Sequence, residues 1–108
     1  MPNVTIFIRQ ERMPCADCLD RLSASCERLC TGILEALPEN VHIIYVAAIH
    51  GKGHPAWADI RYRMAANRTP AVMDDFMQQL DTAIQAHTGL IPRIRCFAYA
   101  AQAISARN

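Results

Sequence analysis

Apolar and polar positions alternate with period two from Asn3 to Arg9: Val4, Ile6 and Ile8 fall on one side, Thr5, Phe7 and Arg9 on the other. Successive side chains of a strand point to opposite faces, so this segment predicts a half-buried strand. After Arg12-Met13-Pro14 the spacing changes. From about Cys15 to Leu37, the residues Cys18, Leu22, Cys26, Leu29, Cys30 and Ile33 recur mostly three or four positions apart, which predicts an amphipathic helix stopped by Pro38. Val41 to Ala48 is rich in Val, Ile and Tyr and apolar on both faces, predicting a mostly buried second strand. The loop Gly51-Lys52-Gly53-His54-Pro55 follows.

The same order then returns. Ile60, Tyr62 and Met64 alternate against Asp59, Arg61 and Arg63 in a third strand. Pro70 fits the first turn of a second helix whose stripe is Val72, Phe76, Leu80 and Ile84, with Gly89 as its stop. Ile91 to Tyr99 predicts a fourth strand, and Ala100 to Asn108 forms a tail without a pattern. At an offset of 54, Val4, Ile6 and Ile8 fall on Ala58, Ile60 and Tyr62, while Cys18, Leu22, Cys26 and Cys30 fall on Val72, Phe76, Leu80 and Ile84. The Arg12-x-Pro14 and Arg68-x-Pro70 turns match only at 56, and His42-Ile43 meets Arg93-Ile94 only at 51. The repeat is therefore one of architecture, with loops of different length.

These patterns predict one α/β (α+β) domain over 1–108, built from two tandem β-α-β units of about 1–54 and 55–108. Each unit pairs its strands in parallel through a right-handed crossover, giving a four-stranded sheet with two helices on one face. Parity places Thr5, Phe7, Arg9, Asp59, Arg61, Arg63, Arg93, Arg95 and Phe97 on the other face. That face is too charged for a second packed layer, and sheets with parallel strands rarely leave a face in water, so an oligomer around a shared axis is expected.

A length of 108 residues suits one domain, and 52% hydrophobic with 19% charged residues is a globular composition. A net charge of +1 cannot supply the broad positive surface that phosphate-dominated binding needs, so no nucleic-acid partner is expected. No apolar run approaches the roughly 20 residues of a bilayer span, and the first residues lack a basic region followed by an apolar one. No membrane partner is expected, and the chain is read as cytoplasmic. The five cysteines are an odd number, and structural disulfides are not expected in that compartment. Cys18, Cys26 and Cys30 lie on the apolar stripe and read as small core hydrophobes.

Cys15-Ala16-Asp17-Cys18 carries competing chemistry, because a helix N-terminus lowers a thiol's pKa and a CxxC pair can cycle between dithiol and disulfide. His50 and His54 are spaced like a zinc pair, yet 31 residues separate Cys18 from His50, where a finger has about 12. No metal or other cofactor is expected.

Met1-Pro2 leading directly into an alternating strand, the turn ending at Arg12, and the doubled β-α-β order together resemble the tautomerase superfamily. That group contains 4-oxalocrotonate tautomerase, 5-carboxymethyl-2-hydroxymuconate isomerase and macrophage migration inhibitory factor. The resemblance covers nearly the whole chain. It implies a homotrimer with sites at subunit interfaces and a keto-enol tautomerase acting on a small anionic 2-oxo or 2-hydroxy-enol carboxylate. It further implies that Pro2, exposed by removal of Met1, is the general base. By its distance from the proline, Arg12 takes the place of the family's substrate-binding arginine. The second family arginine, near the start of strand two, falls where the candidate is His42, and Arg93 holds the equivalent position in the second half. The family's apolar wall has no phenylalanine here, and Trp57 is the nearest aromatic. Two alternatives stand beside this reading. One is another reaction on an oxo acid at the same site, such as dehalogenation or decarboxylation. The other is a catalytically silent oligomeric binding protein.

Overall fold

The computed structural model describes residues 2–108. The first alternating segment is β1 (Asn3–Arg9), which runs through a 3-10 turn (Gln10–Arg12) to helix α1 (Ala16–Gly32). A second turn (Pro38–Asn40) leads to β2 (His42–Ala48), followed by β3 (Ala56–Arg63), α2 (Pro70–Thr88), β4 (Pro92–Tyr99) and a last 3-10 turn (Ala101–Ala103). Both β-α-β crossovers join parallel strands, β1 with β2 and β3 with β4. The two units meet through an antiparallel β1–β3 pair, giving the order β2-β1-β3-β4.

The register of that central pair sets Thr5 opposite Asp59. Asp59 lies 54 positions after Thr5, so each residue faces its own counterpart in the repeat, and a pseudo-twofold axis passes between them. The burial obeys the same symmetry. Val4, Ile6 and Ile8 on β1, and Ala58, Ile60 and Tyr62 on β3, are buried against Leu22, Cys26 and Cys30 of α1 and Phe76, Leu80 and Ile84 of α2. Their counterparts Cys18 and Val72 are both half-buried at the helix starts. Both helices lie on one face of the sheet, as the two stripes predict.

Local chemistry sets the ends of α2. The Thr69 hydroxyl accepts a hydrogen bond from the Val72 amide at 3.3 Å, Pro70 fills a first-turn position, and Gly89 closes the helix in the left-handed region at φ 73°. Helix α1 ends at Gly32, five residues before the predicted Leu37. There Leu34 drops into the core, Glu35 adopts φ 55°, and the Ala36 amide donates to the Cys30 carbonyl at 3.0 Å, which closes the helix well before Pro38. Pro38 opens a turn instead. Strand β3 begins at Ala56, three residues before the predicted alternation, because Ala56 and Ala58 supply small buried positions on the helix side.

The expectation that strand two is mostly buried does not hold within one chain. Strand β2 is an edge, and Ile44, on its helix-free face, is 59% exposed. Its apolar residues on both faces thus fit a strand that a neighbour would cover.

Burial pushes the Cys26 thiol up to about 12 and the Cys30 thiol up to about 11, from an ordinary value of 9.0. Folded-state values above the unfolded one mean that the native chain holds these protons more tightly. The stability they contribute is intact below pH 9 and is lost as pH rises towards 11–12. Chemical denaturation of the reduced protein at pH 8 and at pH 10.5 should therefore show a fall of about 1.4 kcal/mol per buried thiol per pH unit above 9. A Cys26→Ala/Cys30→Ala variant should flatten that slope.

Candidate active site

Pro2 continues the inward parity of Val4, Ile6 and Ile8, and its side chain is fully buried. Its carbonyl accepts the His42 amide at 3.2 Å, tying the start of β1 to the start of β2. The His42 side chain itself is exposed. Because β1 and β3 run antiparallel, with Asn3 opposite Arg61, the end of β3 and the turn after it lie beside Pro2. From that turn Arg68 reaches back into the same corner. Its Nε donates to the Leu34 carbonyl at 3.1 Å and its Nη1 to the Arg63 carbonyl at 2.8 Å, with the guanidinium 6.0 Å from the centre of the Tyr62 ring. Burial raises the Cys30 thiol while the Arg68 charge opposes that shift, so the guanidinium acts on the interior at this corner. A buried proline and an arginine anchored by two carbonyls therefore share one end of the sheet.

The opposite end holds the other predicted residues. Trp57 and Arg93 are neighbours across β3 and β4, with the Arg93 guanidinium 5.4 Å from the centre of the Trp57 ring. This is a cation–π contact. Arg12 lines a shallow recess with His54, Pro55 and Ile91. Phe7, Arg9, His50, Lys52 and Trp57 border a cavity of about 410 Å³ on the helix-free face. The His50 Nε2 contacts the Gly53 carbonyl at 2.9 Å and the His54 Nδ1 the Ile91 carbonyl at 3.2 Å, which shapes the loop over this cavity. Aromatic walls and Lys52 suit a small, flat anion, while Arg9 is paired with Glu11 and the lining carboxylate Asp59 with Arg61.

Within one chain, then, Pro2 and His42 come together, whereas Arg12, Trp57 and Arg93 do not join them. Phe7, beside Trp57, is five residues along β1 from Pro2, or roughly 16 Å at 3.3 Å per residue. His42 and Arg93 are true counterparts: His42 pairs with Asn3, and Arg93 pairs with Trp57, which lies 54 positions after Asn3. Arg68 was absent from the residues expected at the site. Its signal was the match of Arg68-x-Pro70 to Arg12-x-Pro14, since an antiparallel join places the second half's arginine, not the first's, at the proline's corner. Among the described residues no group of three or more His, Cys, Asp or Glu gathers, so Cys15, Cys18, His50 and His54 form no common ligand set. No helix among them is long and apolar enough to cross a membrane.

No protein-family model matches the chain, and no curated protein matches its sequence. Solved structures do match its fold. A macrophage migration inhibitory factor-like protein from Entamoeba histolytica superposes with a TM-score of 0.78 at 8% identity, covering 98% of this chain and 95% of that one. A fused 4-OT described as a wild-type symmetric trimer gives 0.76 at 16% identity over 98% and 92% of the two chains. Pt0534, in a structure inactivated by 2-oxo-3-pentynoate, gives 0.80 at 13% identity over 96% and 91%. The chain thus shares its fold with these macrophage migration inhibitory factor-like and 4-OT structures.

Trp57 is the chain's one tryptophan and lies on the 410 Å³ cavity, so its emission reports occupancy there. Titration with a small 2-oxo carboxylate should change that emission saturably. Lys52→Ala should weaken the apparent affinity about tenfold or less, as expected for one partly exposed cation.

Proposed function

We propose that this chain is a proton-transfer catalyst, a tautomerase of small 2-oxo or 2-hydroxy-enol carboxylates, with the secondary amine of Pro2 as its base. The observation that carries the reading is the burial of Pro2 at the start of β1, on the end of the sheet to which the turn carrying Arg68 returns, in a fold shared with 4-OT and macrophage migration inhibitory factor-like structures. The reading requires Pro2 to be the first residue of the mature chain, since an amide nitrogen has no basicity to offer.

The chemistry follows from the surroundings. Partial exclusion of water and a nearby guanidinium both disfavour an ammonium ion, lowering the amine's pKa so that a free base exists near neutral pH. Such a base takes a proton from the carbon beside a carbonyl and returns it at the far end of the conjugated system, moving the double bond. Arg68 supplies positive charge at the proline's end of the sheet, where enolate charge develops. Arg12, Arg93 and Trp57 serve the same site from another copy, as carboxylate anchors and apolar wall, with His42 as a hydrogen-bond donor at the proline's corner. A homotrimer packed through the helix-free faces is the assembly proposed. The trimeric state of the fused 4-OT and the exposed Ile44, Trp57 and Phe97 on that face support it.

An enzyme of this kind should show an intact mass lacking Met1 when isolated from its own cells. Pro2→Ala should lower kcat for ketonisation of 2-hydroxymuconate or phenylenolpyruvate by about a hundredfold or more while the circular dichroism stays unchanged. Unchanged kcat in that variant would remove Pro2 from the mechanism. Because 2-oxo-3-pentynoate inactivates the structurally similar Pt0534, it should also label this protein, with the adduct mapped to Pro2 and absent from a chain that retains Met1.

A further inference from the structure

The two cysteines that open α1 have no part in the chemistry above. Cys15 stands at the N-cap with extended backbone, φ −67° and ψ 165°, and Cys18 lies in the first turn. That change of backbone direction brings their sulfurs to 3.3 Å in a thiol–thiol hydrogen bond. Cys15 is exposed and Cys18 half-buried. A disulfide bond is about 2.05 Å long, so little movement of exposed first-turn side chains closes the gap.

The pair is also chemically unequal. The Cys18 backbone, and then the hydrogen bond with its thiol, hold Cys15 below the ordinary thiol range. The hydrogen bond to Cys15, followed by burial, raises Cys18 above it. The remaining thiols are poor nucleophiles: burial pushes Cys26 up to about 12, and Cys30 and Cys96 up to about 11. A packing role accounts for Cys26 and Cys30. It does not account for Cys15, whose side chain meets solvent and the Cys18 sulfur.

We propose that Cys15 and Cys18 form a redox-active dithiol that exchanges with low-molecular-weight disulfides, Cys15 attacking and Cys18 resolving. In the first step the Cys15 thiolate attacks one sulfur of the small disulfide. A mixed disulfide forms, the small S–S bond breaks, and the departing thiolate takes a proton from water. In the second step Cys18 gives its proton to solvent and attacks the Cys15 sulfur, expelling the second small thiol. Two electrons pass from the protein dithiol to the small disulfide, and one intramolecular disulfide replaces it. An excess of the reduced small thiol runs both steps backwards. This inference does not depend on the tautomerase reading, since it uses neither Pro2 nor the arginines.

The full-length protein equilibrated in reduced and oxidised glutathione, acid-quenched and mapped by mass spectrometry provides the test. Increasing oxidised glutathione should remove two hydrogens from the segment holding Cys15 and Cys18 in a monomeric polypeptide. Cys18→Ser should accumulate glutathione on Cys15, and Cys15→Ser should leave Cys18 unmodified. On the reduced protein at pH 7, iodoacetamide should alkylate Cys15 on the order of tenfold or more faster than Cys96, with a pH midpoint below the ordinary thiol value of 9.0. Three results would overturn the proposal: both thiols still alkylatable in fully oxidised glutathione, disulfides formed only between chains, or glutathione carried first by Cys96. Each readout is a thiol count, so a failed tautomerase assay leaves this outcome untouched.

Discussion

The antiparallel join of β1 to β3 is the constraint from which the rest of the structure follows. A β-α-β unit has one sheet edge that it cannot close by itself and one apolar face that it must cover. Placing two units side by side, with Thr5 against Asp59, pairs the inner edges and brings α1 and α2 together over a common core. The same join inverts one unit relative to the other. Whatever stands at the start of the first unit therefore meets what stands at the end of the second unit's first strand. Pro2 and the turn that carries Arg68 lie at the same end of the sheet for this reason, although 66 positions separate the two residues in sequence.

The join leaves two features unresolved within one chain. The outer edges of β2 and β4 carry unpaired backbone groups, and the helix-free face presents Phe7, Trp57 and Phe97 among charges. Some of those charges are internally matched: Asp59 pairs with Arg61 at 3.2 Å, Arg61 also reaches the Tyr99 hydroxyl at 3.2 Å, and Arg93 covers Trp57. The face is thus a semi-polar surface, with aromatics already screened by guanidinium groups, rather than a bare apolar patch. Such a surface suits contacts that must be specific in register, because each misplaced guanidinium would be buried unpaired.

Most of the fold was legible because its two periods are long and repeat. Val4, Ile6 and Ile8 state a strand, Leu22, Cys26 and Cys30 a helix, and their echoes at Ala58 to Tyr62 and Phe76 to Ile84 state the duplication. The end of α1 was not legible. Leu34 is a burial choice made by tertiary packing, and the left-handed turn at Glu35 carries no glycine to announce it. The exposure of β2 was hidden for a related reason: apolar residues on both faces read alike whether one's own chain or a neighbour covers them. At the candidate site the residue types were readable, but their grouping was not. Distance from the proline pointed to Arg12, whereas the arginine at the proline's end of the sheet comes from the other half, through a strand pairing whose direction no periodicity encodes.

The pseudo-twofold axis gives the sheet two equivalent corners but only one proline start. The counterpart of Pro2 is Ala56, an interior link of the chain whose nitrogen is already committed to a peptide bond. In any assembly built from this unit, half of the geometrically equivalent corners can never present a terminal amine. Duplication has thus turned a symmetric scaffold into one with two unlike ends. Arg12, Trp57, Arg93 and the 410 Å³ cavity stand at the end of the sheet away from Pro2, so that only a second copy could bring them to the proline's corner.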